Sequence, residues 1–137
     1  MVLLKALRMS LCGAVLIPAL SISMAPSAEA RGEGGSIAGS WSGGGVVVYS
    51  SGQRERTRCH ASFSGGSTVI MSGTCATASG SATQSARLRR VGPNSYAGSF
   101  FNSQFNVSGS IYVTVHGNTQ SVALRSSAGS ANLSLRR

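Results

Sequence analysis

From Phe105 to Val115 the apolar residues Phe105, Val107, Ile111, Val113 and Val115 all occupy odd positions, with small or polar residues filling most of the positions between them. A period of two sends alternate side chains to opposite faces of an extended strand, so one face of this segment is apolar. Beyond residue 30 no stretch carries apolar residues at helical spacing. The alternation predicts an all-β chain of eight strands, at about 37–49, 53–63, 69–78, 82–90, 95–101, 104–116, 119–126 and 130–136. Connections this short favour an antiparallel eight-stranded meander, closed into a small calycin-like barrel or flattened into a sandwich.

Each turn fixes a register, and the register can be checked against the apolar face. A Gly117-Asn118 turn pairs Val113 with Val122 and Ile111 with Leu124. A loop around Gly65 to Val69 sets Cys59 opposite Cys75, with Thr57, Ala61, Phe63 and Met71 on the same face. Turns at Gly80-Ser81, Asn102-Ser103 and Ala128-Gly129 complete the prediction. They put Ala86 and Leu88 inward, Phe100 opposite Phe105, and Leu124 opposite Leu133.

Composition alters this picture at the N-terminus. Lys5 and Arg8 precede a mostly apolar run from Met9 to Met24, and Ala28-Glu29-Ala30 supplies small residues at a cleavage site, so residues 1–30 read as a secretory signal peptide. Residues 31–36 are then a Gly-rich N-terminal segment, and 37–137 a single β domain. Export to the periplasm or beyond implies an oxidising compartment, where the two remaining cysteines, Cys59 and Cys75, form one disulfide. Glycine and serine are abundant, and a small-Gly-Ser/Thr step recurs at irregular spacing, as in Ala97-Gly98-Ser99-Phe100 and Ser108-Gly109-Ser110-Ile111. Glycine inside a strand permits the tight bending that a small barrel needs.

Gly39-Ser40-Trp41 in the first strand and Arg136-Arg137 at the end of the last resemble the calycin pattern of Gly-X-Trp with an arginine lying over the tryptophan. Lipocalins, avidins and the periplasmic metalloprotease inhibitors of Gram-negative bacteria share that pattern. The resemblance implies a barrel in which Gly39, Trp41, Arg136 and Arg137 are structural. A longer set of matches resembles small secreted β-rich proteins of Gram-negative bacteria. It comprises Gly39-Ser40-Trp41-Ser42-Gly43, Glu55-Arg56-Thr57-Arg58-Cys59, Cys75-Ala76 and Leu133-Ser134-Leu135-Arg136. This second resemblance implies export and a β-fold and carries no mechanism.

Charge narrows the chemistry. The whole chain has 12 Lys plus Arg against 3 Asp plus Glu, and the acids are Glu29, Glu33 and Glu55. Paired-carboxylate catalysis is therefore not expected, and no Gly-X-Ser-X-Gly elbow is present to anchor a serine nucleophile. Cys59 and His60 are strand neighbours on opposite faces and cannot share a metal ion. The expectation is a non-enzymatic protein without catalytic residues, metal or cofactor. Arg54, Arg56 and Arg58 alternate with Glu55, Thr57 and Cys59, and so project outward; under a Gly80-Ser81 turn Arg87 and Arg89 share that face, about 10 Å away across one intervening strand. These five arginines are the candidate anion-binding site, suited to an anionic envelope polysaccharide, lipopolysaccharide or lipid. Nucleic acid is not expected, since the segment is exported and lacks interleaved aromatics. The alternative is a calycin-type periplasmic protease inhibitor.

Overall fold

A computed structural model describes residues 36–137; the expected signal peptide and all but Ser36 of the Gly-rich segment lie outside the described residues. Eight strands run in chain order: β1 Gly39–Tyr49, β2 Arg54–Phe63, β3 Thr68–Thr77, β4 Gly80–Arg90, β5 Ser95–Asn102, β6 Val107–His116, β7 Thr119–Ser126 and β8 Gly129–Arg136. Each pairs antiparallel with its sequence neighbour, and β1 closes on β8. The result is an up-and-down barrel with no free sheet edge along most of its height, not a sandwich. No helix among the described residues is long and apolar enough to cross a membrane.

One end of the barrel is packed solid. Ile37, Trp41, Val69, Leu88, Val113 and Val115 meet there, each at most 2% exposed. Ile37 lies just before β1 and the others derive from β1, β3, β4 and β6, so the apolar parity of each strand is the barrel interior. Full burial of each side chain contributes about 1.5–3 kcal/mol relative to exposure. The Trp41 indole N–H would be costly to bury unpaired, and it donates to the Ile37 carbonyl at 2.9 Å. Gln120 is the exception at this end: it is 2% exposed, and neither side-chain polar atom has a hydrogen-bond partner in the protein.

The turns explain where the expected register fails. Gly117-Asn118 is a turn as expected, with Val113 opposite Val122 and Ile111 opposite Leu124, and Cys59 faces Cys75. At the β3–β4 connection, however, the turn residues are Ala78 and Ser79, and Gly80 begins β4 opposite Thr77. The β7–β8 connection repeats this arrangement: Ser127 and Ala128 turn, and Gly129 pairs with Ser126. In both, the leading hydroxyl accepts an amide N–H from within the turn and donates to the carbonyl of the closing glycine, through Thr77 in one and Ser126 in the other. Hydroxyl first and glycine fourth is the signature of this turn, and a φ of +141° at Gly80 and +146° at Gly129 requires glycine there. Leu133 therefore faces Val122 rather than Leu124, a shift of two residues that keeps the apolar face inward.

The β5–β6 connection departs further. Asn102 pairs with Val107, and Phe100 lies opposite Gly109, not Phe105. The Asn102 side chain accepts the Phe105 amide N–H at 3.0 Å, and Asn106 takes a φ of 53°, so 103–106 forms a four-residue loop. This carries Phe105 out of the strand and leaves it 61% exposed.

Close backbone approach accounts for several inward glycines. A Cβ at Gly98 would lie 1.8 Å from the Arg87 carbonyl oxygen, and one at Gly109 would lie 1.9 Å from that of Arg125. These strands bend so sharply toward their neighbours that only glycine fits.

Candidate functional site

The packed end holds the 64–67, 91–94 and 117–118 connections; the other end holds 50–53, 78–79, 103–106 and 127–128. At this second end the barrel is hollow. A cavity of about 870 Å³ extends inward from the mouth, within the size range of small-molecule sites. Inward positions near the mouth carry small residues such as Ala82, Gly129 and Ala131, so the same alternation that fills the base leaves space above it. Val47, Phe100, Val107, Leu124 and Leu133 supply the apolar wall, and Phe105 reaches the cavity from its loop. A void of about 20 Å³ lies below; Cys75, Gln84, Leu124 and Leu133 border both spaces and form the floor of the cup.

The disulfide between Cys59 and Cys75 is present and joins β2 to β3 on the inner face, near the point where their pairing ends at Arg58 and Ala76. Thr57 stands above it and donates to the Ala76 carbonyl at 3.2 Å. On the adjoining strands β4 and β5, the Asn102 amide donates to the Gln84 side-chain carbonyl at 3.1 Å, and Gln84 directs its own amide to the Cys75 sulfur at 3.7 Å. The cup thus has the paired amides of Gln84 and Asn102 on one wall, hydrocarbon from Val47, Phe100, Leu124 and Leu133 beside them, and further neutral polar groups such as Gln53, Gln104 and Ser130 in its lining.

Glu55, the only acidic side chain among the described residues, sits at the mouth. Its two oxygens accept from the Tyr49 hydroxyl at 2.8 Å and from the Ser79 hydroxyl, linking β1, β2 and the β3–β4 turn where the β2–β3 ladder has stopped. Hydrogen bonds from Ser79, Tyr49 and Thr77 favour the ionised form and hold the Glu55 carboxyl below its usual range. The Tyr49 phenol is correspondingly pushed up, chiefly by its bond to Glu55 and then by burial.

The candidate arginines do not form one cluster. Arg54, Arg56, Arg58, Arg87 and Arg89 are all exposed on the outer surface. Arg58 is level with Ala76 and so with Ser81, whereas Arg87 is level with Ile70. The six-residue offset between Ser81 and Arg87 is about 20 Å along β4, because the turn lies at Ala78-Ser79 and not at Gly80-Ser81. The trio on β2 belongs to the mouth end and the β4 pair to the packed end. Arg125, which the sequence did not single out, is a nearer companion of the trio. The row Arg54, Val48, Ser130, Arg125 crosses three strand spacings, about 14 Å.

The calycin-like residues meet at the packed end. The Arg137 guanidinium lies 4.3 Å from the Trp41 ring centroid and donates to the Ala38 and Gly117 carbonyls and the Asn118 side chain. Arg137, not Arg136, takes this role. Gly39 has a φ of +127° and leaves Arg137 room beside it. His60 is exposed on the outer face, away from the buried Cys59, and no group of three His, Cys, Asp or Glu side chains converges among the described residues.

The cup residues Gln84, Asn102, Phe100 and Phe105 were not identified as a site from sequence. The available signal was the polar pair Gln84 in the middle of β4 and Asn102 at the end of β5, at inward positions where an apolar residue was due.

No protein-family model matches the chain, and no curated protein matches it. Solved structures do. The redesigned β-barrel mFAP1 bound to DFHBI aligns with a TM-score of 0.61 at 12% identity, over 74% of this chain and 94% of that one. A de novo designed fluorescence-activating β-barrel aligns with a TM-score of 0.57 at 14% identity, over 74% and 93%. A further redesigned β-barrel gives 0.58 at 14% identity, over 74% and 90%. The class defined is therefore the small closed antiparallel eight-stranded β-barrel, and at these identities the likeness concerns the fold alone.

Proposed function

We propose that this is an exported, non-enzymatic barrel that holds a small molecule in the cup at its mouth. The observation that carries the reading is the cavity of about 870 Å³ above a packed, disulfide-bridged floor. A barrel of this size that had only to be stable would gain by filling that space, since interiors normally reach close packing. Among its fold neighbours mFAP1 is bound to DFHBI, which supports the capacity of such a barrel to take a small molecule. The disulfide fits an oxidising destination, periplasmic or extracellular.

The test is titration of the purified barrel with environment-sensitive dyes that are neutral, anionic and cationic, alongside the Ala131→Trp variant, which puts an indole into the cup where a ligand would lie. One saturable site per chain, lost in Ala131→Trp, is the expected result. Absence of saturable binding for every dye, or unchanged binding in a folded Ala131→Trp variant, overturns the reading; Ala82→Trp serves if the first variant does not fold.

A second surface supports a role at an anionic envelope component. Arg54, Arg56 and Arg58, with Arg125 level with the first, project from the outside of the mouth half, and Arg87 and Arg89 lie too far along the barrel to join them. Each exposed charge contributes up to about 1 kcal/mol at an anionic membrane surface, so replacing the β2 trio with glutamine weakens binding to lipopolysaccharide or anionic vesicles on the order of 100-fold. Equal binding by the folded triple variant would reduce these arginines to solvation.

A further inference from the structure

The hydrogen bonds of the cup define what it can hold. The Phe105 backbone N–H can only donate, so the Asn102 atom that receives it is the carbonyl oxygen Oδ1. Nδ2 of Asn102 must then be the atom facing Gln84, which makes its partner Oε1. This in turn assigns Nε2 to the far side of the Gln84 amide, where its contact is a disulfide sulfur at 3.7 Å, a weak acceptor. Both amide oxygens are thus engaged, while amide N–H groups of Gln84 and Asn102 remain for something else. Each oxygen keeps one lone pair, and the remaining N–H groups are what a ligand acceptor would meet on this wall of the cup.

No arginine, lysine, histidine, aspartate or glutamate lines the cup. The arginines of β2 project from the opposite face, and Glu55 is engaged at the rim by Tyr49 and Ser79. A carboxylate or ammonium carried into the cup would lose its water with no opposite charge to replace it. Resting on the reading of this cavity as a ligand site, we infer that its occupant is an uncharged, largely apolar molecule bearing a hydrogen-bond acceptor, of the carbonyl class, set against the amides of Gln84 and Asn102. Phe100 and Phe105, both bordering the cavity, present ring surface to its apolar body.

The experiment compares four probes on the wild-type barrel: an uncharged dimethylaminonaphthyl ketone, its carboxylate and trimethylammonium analogues, and an alkyl analogue without the carbonyl. The ketone is expected to saturate one site per chain, with both ionic analogues weaker on the order of 100-fold. Loss of the carbonyl from the probe, or Gln84→Met in the protein, each costs about fivefold, the worth of one hydrogen bond, and the two losses do not add. If Gln84→Met does not fold, the ketone and alkyl analogue on wild type make the same comparison. Ionic analogues binding within about twofold of the ketone, at a site that Ala131→Trp removes, overturn the ligand class and leave the cup reading intact. An alkyl analogue equal to the ketone likewise overturns the acceptor assignment. If no probe binds, the cup reading fails, and this inference with it.

Discussion

The guanidinium of Arg137, the last residue of the chain, lies over the indole of Trp41 in the first strand at 4.3 Å from the ring centroid. The contact joins the two ends of the barrel sequence across the β1–β8 seam, and three further hydrogen bonds tie the same guanidinium to residues 38, 117 and 118. Stacking on an aromatic face together with several fixed donors is a task for which lysine is a poor substitute. Arg137→Ala is expected to cost about 1–2 kcal/mol in urea unfolding, and Arg137→Lys to recover only part of it. Arg136→Ala, at an exposed position one residue earlier, stays within about 0.5 kcal/mol of wild type.

Gly98→Ala tests the bending of the strands. The added methyl would sit 1.8 Å from the Arg87 carbonyl oxygen, a collision with backbone that no rotamer relieves. The expected loss exceeds about 3 kcal/mol, seen as insolubility or a collapsed unfolding midpoint. Gly92→Ala, where the nearest atom is a serine Cβ at 3.6 Å, serves as the tolerated control.

Gln120 offers a gain. Its side-chain amide is buried at the packed end without a hydrogen-bond partner in the protein, so it bears a desolvation cost that an apolar side chain of similar length avoids. Gln120→Met is expected to raise stability by about 1 kcal/mol in chemical denaturation. A loss of stability would show that the amide is engaged in solution.

The mouth clasp is pH-dependent, with a definite sign. The carboxyl of Glu55 has a folded-state pKa below its ordinary value of 4.5, so its contribution is full above that value and disappears as pH falls through the lowered one. Tyr49 acts in reverse: raised from 10.0, it contributes at neutral pH and loses its effect as pH rises through the raised value. Thermal melts of wild type against Glu55→Gln should be fully separated above pH 4.5, with wild type the more stable, and should converge as pH falls through the lowered pKa of Glu55. Parallel curves across that range would show that the clasp contributes nothing.

Parity carried most of the fold in the sequence. Every strand was placed by alternation, and seven of the eight starts fall within two residues of the expected positions; β6 begins at Val107 because Asn102 captures the Phe105 amide and turns the preceding residues into a loop. Turn centres were less legible, since Gly80 and Gly129 were read as turn residues when each closes a turn led by a hydroxyl. That error leaves the inward face unchanged, because partner shifts of four residues at β3–β4 and two at β7–β8 both preserve parity, but the first moves Arg87 and Arg89 along the barrel away from the β2 arginines. The cup was the least legible feature. Small inward residues such as Ala82 and Ala131 read equally well as a tightly packed interior, and only closure of the barrel turns them into empty volume.

The most direct test of a ligand-holding cup is residue-resolved. Amide chemical shifts of the isotope-labelled barrel, followed during titration with the uncharged naphthyl ketone, should move at Val47, Gln84, Phe100 and Leu133 and stay still at Arg54, Arg56 and Arg58 on the outer face. Shifts confined to the outer face, or none at saturating probe, would contradict a binding site inside the mouth.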